Sequence, residues 1–127
     1  MFRIIPQLGV ADVDASVRFY TTHLGFEVEQ SDPPGSAEFV VLAREETQLF
    51  LAADAIRGEA TQGRIATASG RGVGVRLYLE VDDASVEYER LLAAGITMRQ
   101  ELQRSEAEDY TDFVCLDPDG YEIGVYS

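Results

Sequence analysis

Asp14-Ala15-Ser16-Val17 returns as Asp83-Ala84-Ser85-Val86, and this recurrence decides how the rest of the chain is read. Each copy follows a short β-like run that ends in Val, at Val10 and at Val81. Each leads on to a glycine backed by an apolar residue, Gly25-Phe26 and Gly95-Ile96. A second echo lies downstream, where Glu38-Phe39-Val40-Val41-Leu42 matches Asp112-Phe113-Val114-Cys115-Leu116. At the same offset, Gln48-Leu49-Phe50-Leu51 lies against Glu122-Ile123-Gly124-Val125. Two matches in the same order at similar offsets imply an internal duplication.

Each copy reads as a strand, a helix and three further strands. In the first, the strand runs from Ile4 to Val10, with Pro6 suggesting an edge or an interruption. Asp12 or Asp14 can cap the helix, because a short carboxylate accepts from orphan backbone N–H groups and suits the positive helix end. Val13, Val17, Tyr20 and Leu24 form its apolar face, and Gly25 stops it. Strands follow near 26–30, 37–43 and 48–53. In the second copy Val73 to Val81 is the strand, and Ala84, Tyr88, Leu91 and Leu92 are the buried face of the helix. Gly95 ends that helix, and strands follow near 96–102, 110–116 and 121–126. Asp117-Pro118-Asp119-Gly120 is a strong turn signal. The expected fold is α+β, a single domain over 1–127: module one at 1–53, a linker at 54–72 and module two at 73–127. A βαβββ unit covers one face of its sheet with its helix and leaves the other bare. Two such units, curved together with their helices outside, would enclose a cleft suited to a ligand.

Composition narrows the function. The 127 residues carry 23 acidic side chains against ten basic ones, all arginine, for a formal net charge of −13. That surface repels phosphate backbones and offers no basic patch to an anionic membrane, so neither nucleic acid nor membrane is an expected partner. It suits a cationic ligand, or it simply keeps the protein in solution. The acids gather at 80–89 and 101–112, whereas Arg57, Arg64 and Arg71 fall in the linker. Cys115 is the only cysteine, which excludes an internal disulfide and a cysteine-based zinc cluster. Met1 to Gln7 lacks the apolar core of a cleavable signal, and no apolar run approaches the ~20 residues of a membrane span, so the expected location is the cytoplasm.

Strand alternation assigns the cleft face. Ile4, Leu8 and Val10 should face the first helix, leaving Ile5, Gln7 and Gly9 toward the cleft. Leu49 and Leu51 likewise leave Gln48, Phe50 and Ala52 facing inward. In the second module the inward sets are Arg76, Tyr78 and Glu80, then Glu122, Gly124 and Tyr126. The candidate ligand site is therefore Gln7, Gln48, Phe50, Arg76, Tyr78, Glu80, Glu122 and Tyr126, whose aromatic rings could sandwich a flat ligand with hydrogen bonds at its rim. The alternative is that the rings fill the cleft as core, with Arg76 neutralised by Glu80 or Glu122. The acidic run Ser105–Asp112 is either a lip attracting a cation or a solvated loop. Ser16, Ser85 and Thr47 have no histidine partner, since His23 lies at a helix end, and Cys115 reads as an inert small hydrophobe. Glu80 or Glu122 could act as a general base if burial raised its pKa.

Asp12-Val13-Asp14-Ala15-Ser16-Val17-Arg18-Phe19-Tyr20, the following Leu24-Gly25-Phe26, and Asp117-Pro118-Asp119-Gly120-Tyr121 resemble the vicinal oxygen chelate superfamily, which includes glyoxalase I, extradiol dioxygenases and the bleomycin-resistance proteins. Nearly the whole chain shares the likeness. Catalytic members hold a divalent metal with four cleft side chains, and the resemblance places those positions at Ile5, Phe50, Arg76 and Gly124. None can serve as a ligand: three offer no side-chain donor atom, and the guanidinium has no lone pair to give. A hard cation would have only Gln7, Glu80 or Glu122 nearby. No metal, no cofactor and no catalytic residue is therefore expected. The likeness is nearest to the metal-free bleomycin-resistance group, which implies a homodimer that sequesters an antibiotic-like small molecule. The alternative is a glyoxalase- or dioxygenase-type enzyme with relocated metal ligands.

Overall fold

The computed structural model describes residues 2–36, 38–67 and 70–127. The chain divides into two compact units, one built from residues up to 69 and the other from residue 70 onward. Each carries its own four-stranded mixed sheet.

In the first unit, β1 (Gln7–Val10) is followed by α1 (Val13–Leu24), β2 (Glu27–Asp32), β3 (Phe39–Arg44) and β4 (Thr47–Ala53). The sheet order is β1-β4-β3-β2, with β1 parallel to β4 and the other pairs antiparallel. Asp12 caps α1 by accepting from the backbone N–H of Ala15, and Gly25 ends it at a φ of 72°. Val13, Ser16, Phe19, Tyr20 and Leu24 are its buried residues. Phe19 and Ser16 thus join the expected stripe, while Val17 is only half-buried. Tyr20 meets Phe19 and Phe26 edge-on, with ring centroids 5.1 and 5.9 Å apart.

The second unit repeats the plan. It holds β5 (Arg76–Glu80), α3 (Ala84–Ala93), β6 (Met98–Ser105), β7 (Tyr110–Leu116) and β8 (Glu122–Tyr126), in the order β5-β8-β7-β6. Asp83 caps α3 through the N–H groups of Ser85 and Val86, and Gly95 follows it at a φ of 80°. Asp117 folds the last hairpin by accepting from the N–H groups of Asp119 and Tyr121, both at 2.9 Å. The α+β class and the two βαβββ modules are as the sequence predicted.

Five expectations need correction. The first strand begins at Gln7 rather than Ile4, and Ile4 is 85 % exposed instead of facing the helix; Pro6 has no N–H with which to extend the ladder. The segment expected to be linker contains a 3₁₀ turn at Asp54–Ile56 and the helix α2 (Gly58–Thr67), whose Glu59, Ala60, Gln62 and Arg64 are good helix formers. The fifth strand starts at Arg76, leaving Val73 and Val75 exposed, and Leu92 of α3 is 47 % exposed rather than buried. Finally, the second echo is out of register by one residue. Val41 pairs with Phe50 in β4, whereas Val114 pairs with Gly124 in β8. The β3–β4 connection beyond Ala43–Gln48 spans 44–47, while the β7–β8 connection beyond Leu116–Glu122 spans 117–121. That extra residue shifts every side chain of one strand to the opposite face relative to the other. Phe113 is consequently in the core, and Phe39 is on the face away from α1.

No helix among the described residues is long and apolar enough to cross a membrane.

Candidate ligand-binding site

Alternation gives each sheet one face toward its helix and one bare face. In the first unit Leu8, Val10, Leu42, Leu49 and Leu51 are buried beneath α1. The opposite face brings Gln7 into register with Phe50, and the Phe50 ring meets Phe39 at 5.3 Å in a T-shaped contact. Gln48 is engaged on both sides: it accepts from Arg3 at 2.7 Å and donates to both oxygens of Glu29 at 3.0 and 3.1 Å. Arg57, just beyond the 3₁₀ turn, reaches across this face and puts its guanidinium where a Cβ on Gly9 would stand.

In the second unit Ile123 and Val125 are buried toward α3, and Arg76, Tyr78, Glu80, Glu122, Gly124 and Tyr126 share the bare face. Arg76 donates through Nε and Nη2 to Glu122 Oε1 at 3.0 and 2.7 Å, and through Nη1 to the Tyr78 hydroxyl at 3.2 Å. The Tyr78 bond and then the Glu122 bond raise the guanidinium's already high pKa. Both partners of the ion pair are substantially exposed, so its value lies in position more than in stability. Arg76 is thus neutralised by Glu122 and not by Glu80, which is exposed.

Gly124 lets the ring of Tyr78 lie directly on the sheet: a Cβ at that position would collide with three ring carbons. Tyr126 stands beside it at a centroid distance of 6.0 Å and an interplanar angle of 75°. The two rings make a corner that opens into a cavity of about 400 Å³, lined by Tyr78, Glu108, Tyr110, Asp112 and Tyr126. Asp112 is 4 % exposed, and its Oδ1 accepts from Gln100 Nε2 at 3.3 Å. The charges of Asp112 and then Glu108 push the Tyr110 phenol above its usual range, so the cavity wall lies in a negative field.

Within module one the structure therefore sets Gln7 beside Phe50. Within module two it joins Arg76, Tyr78 and Glu122 and places Tyr126 against Tyr78. Glu80 pairs in register with Tyr126 without lining the cavity. Glu108, Tyr110 and Asp112 lie outside the set expected from the sequence. The signal for two of them is present there: Tyr110 and Asp112 alternate with the apolar Phe113 and Cys115, which assigns them to the face of Tyr126. The acidic run that holds them is part strand and part turn rather than a loop throughout.

The sequence profile of the Glyoxalase/Bleomycin resistance protein/Dioxygenase superfamily matches residues 4–125. The chain belongs to this superfamily. Solved members of the same fold include a glyoxalase/bleomycin resistance protein/dioxygenase family enzyme from Burkholderia phytofirmans PsJN, with 18 % identity, a TM-score of 0.77, and 96 % of this chain and 94 % of that one covered. TioX from Micromonospora sp. ML1 has 20 % identity and a TM-score of 0.73, with 98 % and 94 % covered. Lactoylglutathione lyase from Agrobacterium tumefaciens has 21 % identity and a TM-score of 0.72, with 98 % and 92 % covered. At such identities the likeness is one of fold. No curated protein matches the sequence. A divalent metal does not fit at Ile5, Phe50, Arg76 and Gly124, where the resemblance would put its ligands, on donor chemistry alone. Gly124 lies under a tyrosine ring and Arg76 is committed to Glu122. Among the described residues no group of three or more His, Cys, Asp or Glu is placed to hold a metal ion.

Proposed function

We propose that the protein binds and sequesters an antibiotic-like small molecule carrying a flat aromatic group, cationic or neutral, without turning it over. The observation that carries this reading is the tyrosine-walled cavity on the bare face of the second module's sheet. A planar ring can stack there, and the neighbouring hydroxyls and carboxylates offer hydrogen bonds. Gln7, Gln48 and Phe50 belong to the bare face of the first module's own sheet, a second aromatic and polar surface. Glu80 lies at the margin, and Arg76 with Glu122 orients the Tyr78 hydroxyl. The resemblance to the bleomycin-resistance group supports a cytoplasmic homodimer that uses no cofactor.

A second reading, a glyoxalase- or dioxygenase-type enzyme with relocated ligands, is favoured by the fold shared with lactoylglutathione lyase. Titration of tyrosine fluorescence with bleomycin-like and planar aromatic compounds tests the first reading. Wild type should saturate, and Tyr78→Ala and Tyr126→Ala should each weaken binding roughly tenfold, the worth of one lost aromatic contact. Unchanged binding in both variants overturns the site. Stoichiometric nickel, zinc, iron or manganese in the purified protein overturns sequestration in favour of the enzyme.

A further inference from the structure

The cavity of the second module holds two carboxylates and three phenol rings, and its charge is not balanced from within. Among the described residues, Arg71 pairs with Asp119, Arg76 with Glu122, Arg90 with Glu87, and Arg104 with Asp109 and Glu106. Among them no arginine is paired with Asp112 or Glu108. Asp112 is nonetheless nearly sealed from solvent, and the partner described for its side chain is a neutral amide at 3.3 Å. Removing a carboxylate from water without a counter-charge is costly, and a cationic occupant would offset that cost. The walls restrict which cation qualifies. One face of Tyr78 rests on Gly124 while the residue remains 49 % exposed; the Arg76 guanidinium carbon lies 5.9 Å from the ring centre, its charge already paired with Glu122. Tyr126 meets it nearly at a right angle. Aromatic faces suit a diffuse, weakly hydrated charge, whereas a bare metal ion demands several oxygen ligands in a closed shell.

We infer that this cavity is a recognition site for an N-alkylated ammonium group on a small molecule, with Tyr78, Tyr110 and Tyr126 contacting the alkyl groups and Asp112 and Glu108 supplying the counter-charge. The assignment rests on the sequestration reading and adds to it the charge and shape of the group that is bound. It also accounts for the acidic stretch before β7, since Glu108 at its turn and Asp112 within the strand bring the two carboxylates to the same opening.

Calorimetric titration with phenyltrimethylammonium and with tert-butylbenzene, its neutral carbon isostere, separates the two claims. The cation should bind at least ten times more tightly. Its affinity should fall several-fold in Glu108→Gln, which alters only an exposed turn, and at least tenfold in Asp112→Asn, with the neutral probe little changed in either. Higher ionic strength should weaken the cation alone, since partly exposed charges are screened over about 10 Å at 0.1 M salt. Equal affinity for both probes overturns the ammonium assignment and leaves the aromatic site standing, as does indifference of the cation to Glu108→Gln and Asp112→Asn when both variants keep native circular dichroism. Binding of neither probe overturns both claims.

Discussion

Cys115 lies on the helix-facing side of β7 with no exposed surface, and desolvation pushes its thiol up to about 11. Only the thiolate is a nucleophile, so a thiol reagent at neutral pH should label the native protein no faster than it unfolds, and denaturant should release rapid stoichiometric labelling. Stability follows from the same shift. Above pH 9 the unfolded chain loses this proton while the folded chain keeps it, so the folded state binds more protons and stability falls as pH rises from about 9 to about 11. Urea unfolding across that range should show wild type losing roughly 2 kcal/mol more than Cys115→Ala, which has nothing to titrate. Gly124 gives a contrasting prediction, because there the chemistry depends on a missing atom. Gly124→Ala should lift the Tyr78 ring from the sheet, cost about 1–3 kcal/mol in unfolding free energy, and weaken aromatic ligands. The inward position of Gly124 was legible from strand alternation. The seat it makes for Tyr78 was not, since a ring lying on its neighbour strand leaves no mark in the pattern of residue types.

At the scale of elements, the sequence carried the helices well because their ends are chemical. Asp12 and Asp83 occupy equivalent caps, and replacing either with Ala should lower stability by about 1 kcal/mol in denaturant titration. The strands were legible as a set but not in register. The hairpin from β3 to β4 turns on Glu45, at a φ of 53°, whereas Asp117 organises the longer one between β7 and β8. A difference of one residue there reverses which of Phe39 and Phe113 reaches the core, and no similarity of letters reveals it. The α2 segment escapes a reading of the sequence for another reason. Glycine at 58 and 63 and the surrounding small polar residues suggest a connection, but Glu59, Ala60, Gln62 and Arg64 favour a helix locally.

Charge belongs to the molecule as a whole, and its distribution bears on the site. Residues 70–127 contain 13 acidic residues and five arginines, a formal −8, leaving −5 for residues 1–69. The tyrosine-lined cavity therefore sits in the more acidic unit, so on the proposed reading association with a cationic ligand should slow as salt is added, and stopped-flow binding at increasing ionic strength would show it. Metal addition is expected to behave otherwise: nickel, zinc or EDTA should leave the melting temperature unchanged, because nothing at Ile5, Phe50, Arg76 or Gly124 can coordinate. The seat beneath Tyr78 also bears on how such a chain could change over generations. A mutation that placed a glutamate at position 124 would drive its side chain into the tyrosine ring, so the new carboxylate could be seated only if Tyr78 moved or was itself replaced. The two positions would have to change together. A carboxylate at 124 and the tyrosine at 78 thus exclude one another, and that incompatibility works as a ratchet against any single substitution at this position.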